Sequence, residues 1–201
     1  IELQKVYRQT DQEFLALLNA VRDNRADDRT LQLLNARYLP NFKASGATYV
    51  RIVTHNHQAD HINAQEMAQL AAIEKDFRAT VEGTFPEGSY PAAEVLTLKR
   101  GAQVMFIKND SSGEHRYYNG MLGEITDISD NTVTVRPNDS TEEIEVGMET
   151  WQNSRFTLNE KTNEIEEVVD GTYKQIPLRL AWAITVHKSQ GLTFERAIID
   201  V

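Results

Sequence analysis

The stretch LRLAWAITVHKSQGLTFERAIIDV, residues 178–201, decides how the chain reads. Leu178, Ala181, Trp182 and Thr185 fall at i, i+3, i+4 and i+7, which predicts one apolar helix face. Pro177 suits the first turn of such a helix, and Gly191 suits its end. RAIIDV then reads as an apolar strand. Helix followed by buried strand is the grammar of an α/β sheet.

The same grammar stands near the other end. YVRIVT (49–54) is a β-branched run between Gly46 and Asn56, which predicts a buried strand. Asn56 can cap a following helix with Ala59, Ile62, Met67 and Leu70 turned inward. Further upstream, Phe14, Leu17, Leu18 and Val21 share a helix face, with Thr10 and Glu13 spaced as a capping box. A shorter helix is predicted over 28–37.

Between these ends the grammar changes. From about residue 76, RATVEG, AQVMFIKN, LGEITDI, NTVTVRP and EEIEVGMETW follow one another as short strands, with turn residues between them. FTLNEKTNEIEEVV reads as a hairpin and GTYKQIP as a return strand. This spacing predicts a small antiparallel barrel inserted into an α/β domain.

Composition sets outer limits. The 201 residues are 40% hydrophobic, as in a folded globular chain. With no Cys there is no disulfide framework and no thiolate metal site. No apolar run is long enough to span a membrane. The net charge of −9 argues against coating a polyanion by bulk charge. That charge is uneven: residues 59–170 carry nine Lys/Arg against twenty-two Asp/Glu, whereas residues 1–58 carry eight against six. Residues 171–201 carry four against two, so a polyanion should meet the ends rather than the middle.

No GxxxxGK[ST], HExxH, DxDxDG or GxSxG occurs, so no P-loop, zincin site, calcium loop or hydrolase elbow is indicated. His55, His57 and His61 lie on a strand-to-helix turn where they should diverge, and no metal site is expected. Three polar stretches remain: VYRQTD (6–11), VTHNHQADHIN (53–63) and TVHKSQGLTFE (185–195). Ligands of open α/β sheets bind beyond the carboxyl ends of the strands. Arg8 offers a planar fork of donors to a phosphate, and it would equally neutralise Asp11. Thr54, Asn56, Thr185 and Ser189 offer hydroxyl or amide contacts, and Lys188 offers a point charge. Gly191 lets backbone N–H groups approach a phosphate, or simply ends a helix.

These stretches carry a resemblance. LRLAWAITVHKSQGLTFERAIID closely resembles motif V of superfamily-1 DNA helicases of the RecD-like, 5′-to-3′ branch. VYRQTDQEFLALLNAVRDN looks like that family's motif IV region. GAQVMFIKND and YYNGMLGEITDI are similar to its inserted SH3-like barrel, domain 2B. The resemblance implies an α/β fold: an incomplete RecA-like, three-layer motor domain split by that barrel. Residues 1–75 would be the first part of motor domain 2A, 76–96 a connector, 97–176 the barrel and 177–201 the rest of 2A. It implies ATP and Mg²⁺ as cofactors, held mainly by a first motor domain absent from this sequence, so the chain is expected to be a piece of a longer polypeptide. It implies single-stranded DNA as partner, no membrane and, in a bacterium, the cytoplasm.

By the same resemblance, Arg8 matches the arginine that reaches the γ-phosphate, with Gln9 supporting it. Gly191 and Thr193 match nucleotide-binding positions, Thr193 standing where relatives often carry Glu for the ribose. Thr54, His55 and Asn56 match strand-end contacts to the DNA backbone, as do Thr185, His187, Lys188 and Ser189 of motif V. Asn119 and Gly120 match a barrel turn that faces DNA. The competing expectation is a protein-interaction module built on residues 97–176, with Tyr117, Tyr118 and Trp151 as its clustered aromatic residues.

Overall fold

A computed structural model describes residues 10–42, 49–159 and 163–200. The chain divides into two compact units, residues 1–45 and 46–201.

In the first unit, α1 (Gln12–Arg22) starts at Asp11, whose Oδ1 accepts the N–H groups of Glu13 and Phe14 at 3.0 and 3.1 Å. Asp11, rather than Thr10, is thus the cap, because its carboxylate reaches two orphan donors of the first turn at once. Asp27 caps α2 (Asp28–Asn35) in the same way, accepting from the Thr30 N–H at 2.8 Å and its hydroxyl at 2.7 Å. The spacing of the α1 apolar stripe is as read, but Phe14, Leu18 and Val21 each remain more than 40% exposed.

The second unit is organised by a parallel sheet whose strands come from distant parts of the chain. β1 (Val50–Val53) is followed by α3 (Asn56–Gln69), and next come β2 (Lys75–Arg78), β3 (Thr80–Gly83) and β4 (Val95–Leu98). Then follow β5 (Gln103–Phe106), β6 (Leu122–Ile128), β7 (Val133–Pro137) and β8 (Ile144–Val146). The long strands β9 (Glu149–Asn159) and β10 (Glu164–Gln175) lead to β11 (Leu178–Leu180), β12 (Ala183–Thr185), α4 (Val186–Ser189) and β13 (Ala197–Asp200). β1 lies between β12 and β13 and is parallel to both, with Val53 opposite Thr185 and Asp200. More than 120 residues of sequence therefore separate neighbours in one small sheet, and the segment between them is almost entirely antiparallel.

That segment forms a five-stranded sheet in the order β11-β5-β6-β7-β8, a three-stranded sheet β3-β10-β9 and the pair β2-β4. A small antiparallel barrel was expected; no closed barrel is found, since among the described residues no pairing joins β8 to β11 and the five-stranded sheet stays open. β8 is only three residues long, which leaves little edge to close on. The largest core cluster fills the space inside these sheets, with Phe77, Leu96, Leu98, Val104, Phe106, Ile125, Val133, Val135, Ile176 and Leu178 buried together. Period-2 alternation along β7 explains its share: Val133 and Val135 point in while Thr134 and Arg136 point out.

The helix predicted to open at Pro177 is replaced by two strands and one turn of helix. Leu178–Leu180 pairs antiparallel with β5, and Ala183–Thr185 pairs parallel with β1. Only Val186–Ser189 is helical. The apolar run 178–184 fits either period, and open pairing edges on β5 and β1 decide for strand.

Candidate functional site

Two of the three polar stretches meet at one end of the parallel sheet. Because Val53 stands opposite Thr185, the residues that leave β1 and those that leave β12 emerge side by side. Thr54, His55 and Asn56 therefore neighbour α4 with His187, Lys188 and Ser189, at the carboxyl ends of two adjacent parallel strands.

The β1 exit is held by its own hydrogen bonds. The Gln58 side-chain oxygen lies 3.2 Å from the Thr54 hydroxyl, which donates to it, and accepts the His55 N–H at 3.2 Å. The Thr54 hydroxyl also lies 2.7 Å from His55 Nδ1. His55 occupies the cap position of α3 and Asn56 is its first helical residue, so the capping role expected of Asn56 falls one residue earlier. The His55 and His57 rings sit 5.4 Å apart, closer than the divergence expected of them. Among the described residues no group of three or more His, Asp or Glu is placed to hold a metal ion. No helix of the described residues is long and apolar enough to cross a membrane.

The β12 exit is held from behind. Buried Asn63 of α3 donates through Nδ2 to the Ala183 carbonyl at 2.9 Å and accepts the Ala183 N–H at Oδ1 at 2.9 Å. One side chain thus completes both backbone groups that β12 turns away from β1, acting as a one-residue strand. Lys99 closes the other end of α3, donating to the carbonyls of Met67 and Leu70 at 3.1 and 3.2 Å. Gln103 Nε2 donates to the carbonyls of Tyr49 and Ala181 at 3.0 and 2.8 Å, tying β5 to the entries of β1 and β12.

At the end of α4 the Ser189 hydroxyl donates to the Val186 carbonyl at 2.8 Å. Gly191 has φ +81°, a conformation that favours glycine, and nothing lies within 4 Å of where its Cβ would be. Thr193 is exposed two residues on. Asn119 and Gly120 are brought to the same segment. Gly120, at φ +97°, packs so tightly on Leu192 that an added Cβ would lie 2.7 Å from Leu192 Cδ2. The turn is fixed by the Asn119 N–H donating to Asn109 Oδ1 at 2.8 Å and the Gly120 N–H donating to the Phe106 carbonyl at 2.8 Å.

Arg8 and Gln9 lie outside the described residues. Tyr117, Tyr118 and Trp151 do not form a peptide groove. Tyr117 is buried and stacks on Phe106 at 4.5 Å, Tyr118 is exposed, and Trp151 packs beside Tyr173 with Lys108 over its ring. Sequence reading passed over Asn63, Gln103 and Arg179. A polar residue at an inward helix position was the available sign for Asn63.

The relatives that share this chain's sequence and fold are ATP-dependent DNA helicases, although no protein-family model matches it. More narrowly, they are Pif1 enzymes. The Pif1 helicase of Bdellovibrio bacteriovorus is 31% identical over 200 residues, taking in 96% of this chain and 42% of the relative. A crystal structure of Bacteroides sp. Pif1 in complex with ADP-AlF4 superposes with a TM-score of 0.85 at 39% identity, over 97% of this chain and 44% of that one. A crystal structure of Bacteroides Pif1 bound to ssDNA gives 0.67 at 39% identity, over 99% and 45%. The chain thus spans somewhat under half the length of these relatives.

Proposed function

We propose that this chain is part of an ATP-dependent DNA helicase of the superfamily-1, RecD-like branch that moves along single-stranded DNA and unwinds duplex. It would supply motor domain 2A (residues 1–75 and 177–201), a connector (76–96) and an SH3-like domain 2B (97–176). The observation that carries this reading is the meeting of VTHNHQ and TVHKSQG at the ends of two adjacent parallel strands, together with helicase relatives along 96–97% of the chain.

Bound ATP would supply the phosphoryl transfer that drives the cycle. Gly191 fits the approach of a phosphate, since its backbone is left-handed and the space beside it is open. Arg8 would stabilise charge on the γ-phosphate, with Gln9 supporting it and Thr193 near the ribose. The Mg²⁺ ligands and the phosphate-cradling Lys are assigned to the first motor domain, because GxxxxGK[ST] is absent here.

Thr54, His55, Asn56, Thr185, His187, Lys188 and Ser189 would grip the backbone of the strand, with Asn119 and Gly120 at its margin. Hydroxyl, amide and ammonium contacts to phosphates carry little sequence information, so the grip is sequence-tolerant. A second grip on the first motor domain would let domain closure slide one past the other.

DNA-stimulated ATP hydrolysis by the protein at its natural length tests the reading. Arg8→Ala should lower kcat by about 10³-fold. The 201-residue chain alone should not turn over ATP. Hydrolysis by this chain alone, or none by the natural-length protein with single-stranded DNA, would overturn the proposal.

A further inference from the structure

We propose that Arg179 and Lys188 together hold one phosphate of the single-stranded DNA backbone, in the cleft between α3, β11–β12 and residues 90–97. The inference rests on the helicase reading above and adds to it a contact outside the HKSQG stretch. The cleft has a volume of about 540 Å³ and is lined by Asp60, Asn63, Tyr90, Arg179, Thr185 and Lys188 among others. Its wall includes Thr185, the last residue of β12, so it adjoins the strand ends where the DNA contacts gather.

Arg179 is held there without being neutralised. Its neighbour Leu178 is fully buried in the core, and Arg179 lines the cleft. Its Nη2 donates to the Pro91 carbonyl at 3.0 Å, which fixes the guanidinium plane. Among the described residues its Nε is the single buried side-chain nitrogen or oxygen without a hydrogen-bond partner. Native chains rarely leave such a donor unmatched, least of all on a charged group. Burial lowers the Arg179 pKa and no carboxylate offsets it. The Lys188 pKa is also lowered, first by burial and then by the charge of Arg179, with Asp60 a smaller opposing influence. Two cations thus line one cleft, a half-buried guanidinium with an unmatched donor and an exposed lysine. A tetrahedral oxyanion in the cleft would supply the missing negative charge, lying between the guanidinium and the ammonium.

The test is fluorescence anisotropy of labelled oligothymidylate against the natural-length protein across a salt series, with Arg179→Met and Arg179→Lys, both of which keep the side-chain stem. Arg179→Met should bind about tenfold more weakly at low salt. Its slope of log K against log[salt] should be shallower by about 0.7, the value of one phosphate on a single strand. Arg179→Lys should keep the wild-type slope. Arg179→Met should also melt about 2–4 °C higher, because an unmatched buried cation is removed. A purely structural arginine would give the opposite sign. On an oligomer of neutral methylphosphonate linkages, wild type and Arg179→Met should bind alike.

Wild-type affinity and slope in Arg179→Met would overturn the assignment, as would a loss that persists on the neutral oligomer. Inorganic phosphate that binds wild type but not Arg179→Met, and at matched ionic strength displaces no oligothymidylate, would also overturn it, by making the cleft a free-phosphate site. Lys188→Gln separates the two levels. If wild type binds and Lys188→Gln weakens it while Arg179→Met does not, only this inference falls. If wild type does not bind oligothymidylate, the helicase reading falls first.

Discussion

Asn63 shows how much one buried amide decides. It serves a backbone N–H and a carbonyl of β12 with a single side chain, at a place where no further strand is paired. Asn63→Ala would leave both groups unmatched beneath the covered face of α3. The expected cost is about 2–4 kcal/mol, read as a lower urea midpoint with an unchanged m-value. Asn63→Asp keeps the bond to the Ala183 N–H but sets a carboxylate oxygen against the Ala183 carbonyl, and should be no less damaging. Such residues are hard to find from sequence because their worth depends on what lies opposite. Ala59 and Met67 were legible as inward positions by spacing alone; Asn63 shares that spacing, but no spacing reveals the backbone groups it meets.

Among the elements, those with a clean period were legible. LGEITDI became β6 residue for residue, and FTLN (156–159) and EIEEVV (164–169) became the facing ends of β9 and β10. The stretch after Pro177 departs from the expected helix because its apolar run carries both periods, and only partners more than 70 residues away in sequence select one. The loop from β5 to β6 was read as turns but is held by charge. Burial alone would raise the Asp110 pKa, yet hydrogen bonds from Arg116 and Ser112 hold it well below the usual carboxylate range. Burial would likewise raise Glu149, and hydrogen bonds from Lys108 and Ser111 more than offset it. Both carboxylates have lowered folded pKa values, so their contribution is complete above the ordinary values of 3.8 and 4.5. It is lost as pH falls through the lowered ones. Urea midpoints measured from pH 7 downward should therefore decline from about pH 4.5, and Asp110→Asn should lower the neutral-pH midpoint and flatten that decline.

At the scale of the whole second unit, the sheets are joined by polar side chains as much as by the apolar core. Gln175 is fully buried, and its Nε2 lies within 3.3 Å of the carbonyls of Phe77, Ala93 and Glu94, while its Oε1 accepts the Ile176 N–H at 2.9 Å. It therefore links β10 to the β2–β4 pair across a packed interior. Gln175→Leu keeps the volume but strips those partners, and should lower stability by about 2–4 kcal/mol in a single cooperative urea transition. The α/β class and the antiparallel middle were legible here because both follow from local period. The open order β11-β5-β6-β7-β8 was not, because closure depends on the lengths of edge strands such as β8 rather than on any residue pattern.

The fit of Gly120 against Leu192 has a historical consequence. A side chain at 120 would sit on a left-handed backbone and push aside the end of the flexible Leu192 side chain, so the backbone at 120 sets the stronger constraint. The codon at 120 is thus held to glycine more firmly than the codon at 192, more than 70 positions away in the message, is held to leucine. The turn at 120 should therefore be inherited with its glycine, even where the segment after α4 that packs on it diverges.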